Sequence, residues 1–116
     1  MGVEQVCLSI KRGDSWSKTM YFNDADGNNI DITGWEIRFT VKAKIDDPDS
    51  AAVISKIITT FSNPTAGIAE ISLTPTDTNQ VIASYVYDVQ CKTSTGEVYT
   101  IIEGIITITK DVSITS

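Results

Sequence analysis

The side chains that could carry chemistry in this sequence are carboxylates, hydroxyls and two thiols; histidine is absent. A serine or cysteine nucleophile therefore lacks its commonest general base. Lysine could substitute, but no Ser-x-x-Lys motif accompanied by its companion elements occurs. Most acids fall in turn-like stretches (Asp24, Asp26, Asp46, Asp47, Asp49) or at the outward positions of strand-like stretches (Glu36, Asp88). Such placement brings no pair together across a cleft, as carboxylate catalysis requires. The expectation is a protein that is not an enzyme and uses no cofactor.

Metal chemistry fares no better. The run Asp24-Ala25-Asp26-Gly27-Asn28 has the flavour of a calcium loop. With Gly27 as the sixth loop position, however, Phe22 and Thr33 would occupy positions one and twelve, where the anchoring carboxylates belong. A turn accounts for the same residues. Asp46, Asp47 and Asp49 form one acidic loop with no second cluster to complete a cage. Cys7 and Cys91 stand 84 positions apart, which excludes a clustered thiolate site and leaves a disulfide or two free thiols. Their opposite parity within their strands favours unlinked thiols.

Aromatic side chains could stack on sugar rings. Trp16, Trp35, Phe39, Tyr85 and Tyr87 share parity with apolar neighbours, so core packing is expected for each. Tyr21 and Tyr99 have the opposite parity and are candidate contact residues. Ile101 and Ile105 join them, because both fall out of phase with Ile106 and Ile108 in an unusually β-branched carboxy-terminal run.

The elements that position these residues read as strands throughout, rich in threonine, isoleucine and valine. Alternation predicts strands over residues 6–10, 16–22, 35–45, 53–61, 67–73, 85–92 and 98–112, with a short extended piece over 30–34. Turns are expected at Gly13-Asp14, 23–28, Gly34, 46–50, 62–65 and Thr95-Gly96. The segment 35–45 is the clearest, with Trp35, Ile37, Phe39, Val41, Ala43 and Ile45 facing one way and polar residues the other. A short helical turn is expected from Thr74 to about Ile82. Gly104 is expected to mark a bend or bulge. Seven or eight short strands with regular turns describe an all-β sandwich or small barrel in one domain over residues 1–116, with a frayed tail after about residue 112.

Composition narrows the function classes. The 116 residues carry a net charge of −6, with nine Lys and Arg scattered among fifteen acids, which argues against nucleic acid as a partner. No apolar run approaches the roughly 20 residues that span a bilayer, and the amino terminus lacks the basic and apolar regions of a signal peptide.

One order of residues is more specific. Gly13-Asp14-Ser15-Trp16 precedes a strand and is followed by Asp26-Gly27-Asn28-Asn29-Ile30-Asp31-Ile32-Thr33-Gly34-Trp35. Then come Gly67, Leu73-Thr74 with Asp77-Thr78, Tyr85-Val86-Tyr87-Asp88-Val89, Gly96, Glu103-Gly104 and Asp111-Val112-Ser113. Across nearly the whole chain this resembles the amino-terminal domain of the phage baseplate upper protein family and small virion proteins of similar pattern. The resemblance implies an immunoglobulin-like β-sandwich of seven to eight antiparallel strands that docks onto other virion subunits. It also implies a location in the virion after synthesis in the host cytoplasm. Larger members carry a helical, receptor-binding extension that these residues do not include, so docking is expected and receptor binding is not. A homo-oligomer is compatible with this role. The rival expectation is a carbohydrate-binding or adhesin-like sandwich.

Overall fold

In the computed structural model, which describes residues 4–110, β-branched and alternating segments pair into two sheets and the fold is all-β. Along one side of the long strand β8 (Val98–Thr109) lie β1 (Glu4–Gln5) and β2 (Leu8–Lys11), both parallel to it. On its other side follow β7 (Ala83–Lys92), β4 (Glu36–Lys42) and β5 (Ile54–Ile58), each antiparallel to its neighbour. The second sheet pairs β3 (Trp16–Tyr21) with β6 (Ile68–Leu73). The strands are thus not all antiparallel, because the first pieces of chain add in parallel to the last strand.

The core lies between the sheets. Ile37, Phe39 and Val41 of β4, Tyr85, Tyr87, Val89 and Cys91 of β7, and Ile106 and Ile108 of β8 are buried. They join one cluster with Met20 of β3 and Ala69, Ile71 and Leu73 of β6. One aromatic pair bridges the layers, with Trp16 of β3 stacked 6.2 Å from Phe39, and within the larger sheet Phe39 is tilted 5.7 Å from Tyr87. Trp35 lies just outside β4 and is half-buried, its ring edge-to-face with Phe22 at 5.9 Å.

The alternation that predicts a strand to Ile45 overshoots. β4 ends at Lys42; Ala43 is exposed and Ile45 is 77% exposed. There the chain turns, with the Asp47 amide donating to the Lys44 carbonyl and the Lys44 amide to the Asp47 carboxylate, both at 3.1 Å. Local capping by an aspartate competes with the ladder and wins once the partner strand runs out. The tail expected after residue 112 lies outside the described residues.

Between β6 and β7 the chain makes one helical turn, α1 (Pro75–Thr78), shorter than the sequence suggests. Thr74 and Asp77 form a reciprocal capping box at 3.2 and 2.8 Å. Thr78 is fully buried and donates its hydroxyl to the Asp14 carbonyl at 2.7 Å, pinning the β2–β3 turn. Lys56 faces the core side of β5 opposite Phe39, and its Nζ reaches Asp77 Oδ2 at 2.7 Å.

That ion pair has a pH signature. Partial burial opposes ionisation of Asp77, but the Lys56 ammonium and the Thr74 amide and hydroxyl outweigh it and hold the carboxyl below its ordinary value. The folded protein therefore binds this proton less tightly than the unfolded chain. Its stabilisation is complete above the unfolded value of about 4 and disappears as pH falls through the folded one. Denaturant titrations from about pH 6 down to about pH 2.5 should show a loss in the wild type that Lys56→Met reduces. Parallel curves for the two proteins would refute this account of the pair.

Candidate interaction surface

The alternation that buries one face of the large sheet turns the other to solvent, and its register places side chains in transverse rows. Lys42, Val86 and Ile105 are aligned across β4, β7 and β8. The next row carries Thr40, Asp88, Glu103 and Gln5, with Gln5 Nε2 donating to Glu103 Oε1 at 2.6 Å. Asp88 and Glu103 are like charges directly opposite each other, an arrangement that disfavours the isolated pair. Farther along, Arg38 aligns with Gln90 and closes on Glu36 Oε2 at 2.7 Å.

Exposed Ile45 folds back over this face. With Val86 it lines a shallow groove of about 150 Å³, flanked by Arg38 and Lys42 on one side and Asp88 and Glu103 on the other. Ile105, 48% exposed, adjoins it through its pairing with Val86. Ile45 and Ile105 are thus exposed and Val86 half-buried on a sheet face that also carries exposed Ile57 and Val98 among its polar and charged positions. Chemically this is an apolar strip with charges of both signs beside it, a combination suited to recognition.

The four contact residues expected from the sequence do not converge. Ile105 belongs to the face just described. Ile101 does not: it is only 8% exposed and joins the core. Val89 pairs with Ile102 and Gln90 with Thr100, which leaves Ile101 as an extra residue in a bulge. The bulge turns Ile101 and Ile102 inward together and resets the parity of everything after it. Gly104, where the irregularity was expected, sits inside the regular ladder instead.

Tyr99 pairs with Cys91 at the far end of β8 and donates its hydroxyl to the Glu97 carboxylate. That bond raises the Tyr99 phenol above its ordinary value and lowers the Glu97 carboxyl. Tyr21, 68% exposed, ends β3 on the other sheet opposite Ile68. Alternation does not identify Ile45 and Val86 as contacts: it assigns Ile45 to the core, although the Asp-Asp-Pro run beginning one residue later signals that the strand must stop.

Two further surfaces bear on docking. Within the described residues β5 is an edge strand, with Ile57 exposed on the outer face. Just before β7, Val81 and Ile82 are exposed, and the Tyr85 hydroxyl donates to the Val81 carbonyl at 2.5 Å.

The remaining candidates have structural uses. Asp24 Oδ1 accepts the amides of Asp26 and Asn28, both at 2.9 Å, which closes the turn read as a calcium-like run. Among the described residues no three His, Cys, Asp or Glu side chains gather as metal ligands, and no helix is long and apolar enough to cross a membrane. Cys7 is exposed and Cys91 buried, and burial raises the Cys91 thiol above its ordinary value. No protein-family model matches the chain, and no curated protein matches it.

Proposed function

We propose that this chain is an immunoglobulin-like sandwich serving as a structural interaction module of a phage or prophage virion, in its tail, baseplate or neck. It docks onto other virion subunits through the outward face of the larger sheet. The observation that carries the docking role is the strip of Ile45, Val86 and Ile105 held open between Lys42 and Asp88. Exposed aliphatic rows of this kind cost solubility unless a partner covers them.

The finer fold reading rests on topology. β3 and β6 form one sheet while β4, β7 and β8 form the other, the division of immunoglobulin sandwiches. Tyr85 stands near the start of β7, after the β6–α1 corner, and bonds back to the backbone four residues upstream, as the tyrosine corner of those domains does. The virion assignment rests on the order of motifs from Gly13 to Glu103-Gly104. No enzymatic role, cofactor, nucleic acid or membrane enters this reading.

Quantitative mass spectrometry of virions purified from the strain that encodes the chain tests it. The chain should be present at fixed stoichiometry, and Ile45→Lys, which leaves the core untouched, should deplete it severalfold from particles. Virions that lack the wild-type chain would overturn the proposal.

A further inference from the structure

At the other end of β4 from Ile45, a second groove opens between two turns. Trp35 forms its apolar wall, and the rest of the lining is polar or glycine, including Thr59, Lys92, Thr93, Ser94 and Gly34. It is a shallow, open depression of about 370 Å³, against which one sugar ring could lie without being enclosed. We propose that this groove binds a pyranose ring, stacked on Trp35 and held by the surrounding hydroxyls and the Lys92 ammonium.

The walls are fixed before any ligand arrives. The Trp35 amide donates to the Ile32 carbonyl at 3.0 Å, and Asp31 Oδ1 accepts the Thr33 amide and hydroxyl at 2.9 and 2.6 Å. Opposite, the β7–β8 turn is closed by the Thr93 amide on the Glu97 carbonyl at 2.8 Å and the Gly96 amide on the Thr93 carbonyl at 3.0 Å. The two turns nearly touch: a Cβ on Gly34, whose φ is +82°, would lie 3.4 Å from Ser94 Cβ. Rigid walls of this kind spare a weak ligand the cost of ordering its site.

The chemistry of the lining selects the ligand class. A pyranose has an apolar C–H face, which packs on the electron-rich face of an indole, and a rim of hydroxyls that must be satisfied. Thr59 and Ser94 make no side-chain hydrogen bond among the described residues and can serve that rim. Thr93 is already engaged, since its hydroxyl accepts the Glu97 amide at 3.1 Å. A purely apolar guest would strip water from these hydroxyls without replacing it. A phosphate would find Lys92 as its cation but Glu36 lining the same groove, tied to Arg38 at 2.7 Å. The inference is independent of docking through the outer face, and either can fail without the other.

The test is an NMR titration of the ¹⁵N-labelled chain with methyl glucopyranoside, methyl mannopyranoside, methyl galactopyranoside and N-acetylglucosamine. Glycerol, which lacks an apolar ring face, is the control. At least one pyranose should shift the Trp35 indole N–H together with the Ser94 and Gly96 amides, with a dissociation constant in the millimolar range. Ser94→Val and Lys92→Met lie on the surface and should each weaken binding about threefold or more, a loss of at least 0.6 kcal/mol. Trp35→Phe keeps a ring against Phe22 and should weaken it further. The proposal is overturned if no pyranose shifts these resonances at about 50 mM, if glycerol shifts them equally, or if Ser94→Val and Lys92→Met bind like the wild type.

Discussion

Substituting Gly104 with alanine should prise the amino-terminal strands off the sheet edge and cost about 2–4 kcal/mol, from backbone overpacking and a lost buried hydrogen bond. A Cβ at Gly104 would lie 2.1 Å from the Val6 carbonyl oxygen and 2.9 Å from its carbon. Both are backbone atoms, so no side chain can swing aside. Val6 is held there from two directions, its amide donating to the Glu103 carbonyl at 3.0 Å and its carbonyl accepting the Tyr87 hydroxyl at 2.6 Å. Tyr87 is the cross-strand partner of Gly104, so the side chain that glycine lacks is replaced by the neighbouring ring reaching toward the third strand. Hydrogen exchange should show residues 5–11 losing protection while β4 and β7 keep theirs. Tyr87→Phe, which removes only the hydroxyl, should cost about 1 kcal/mol. An alanine variant with wild-type stability and protection would mean that the chain crosses β8 elsewhere.

Ile101 and Ile105, four positions apart on one strand, should respond oppositely to lysine. Ile101→Lys puts an ammonium into the core and should cost at least about 3–5 kcal/mol, a large share of the roughly 5–15 kcal/mol that holds an ordinary domain folded. Ile105→Lys should change stability by no more than about 0.5 kcal/mol while adding a charge beside Val86 on the outer face of the larger sheet. Circular dichroism with urea titration separates the two. If Ile105→Lys also unfolds, the bulge at Ile101 is misplaced and the outward strip does not exist.

These two residues also mark how far the sequence can be read. The all-β class, the inward set from Ile37 to Val41 and from Tyr85 to Cys91, and the turn at Asp24–Asn28 follow from alternation and turn chemistry alone. Alternation counts residues, however, and cannot detect an insertion whose cost is met by a partner strand. The bulge opposite Val89 and Gln90 is a property of the β7–β8 pair, so alternation alone points Ile101 outward. Ile45 failed for the opposite reason. Its parity is correct, but the strand that gives parity meaning has ended, since β5 begins at Ile54 opposite Val41 and offers no partner farther along. The groove at Trp35 was not legible, because its two walls come from turns some 60 residues apart in sequence, residues 34 and 94. Lys56 reaching Asp77 escaped for the same reason.

The parallel seating of β1 on β8 also sets an order of events in biosynthesis. Glu4 pairs with Ile102, and Leu8 with Ile106, so β1 and β2 wait for a partner strand 98 positions later in the chain. Contacts this distant in sequence slow folding, because the chain must close a long loop before they repay its entropy. Until β8 emerges, β1, β2 and the open side of β7 all present unpaired backbone at once. A nascent chain in that state is a target for chaperones and for neighbouring copies alike. Gly104, by admitting the Val6 backbone, ties the seating of β1 and β2 to the presence of β8.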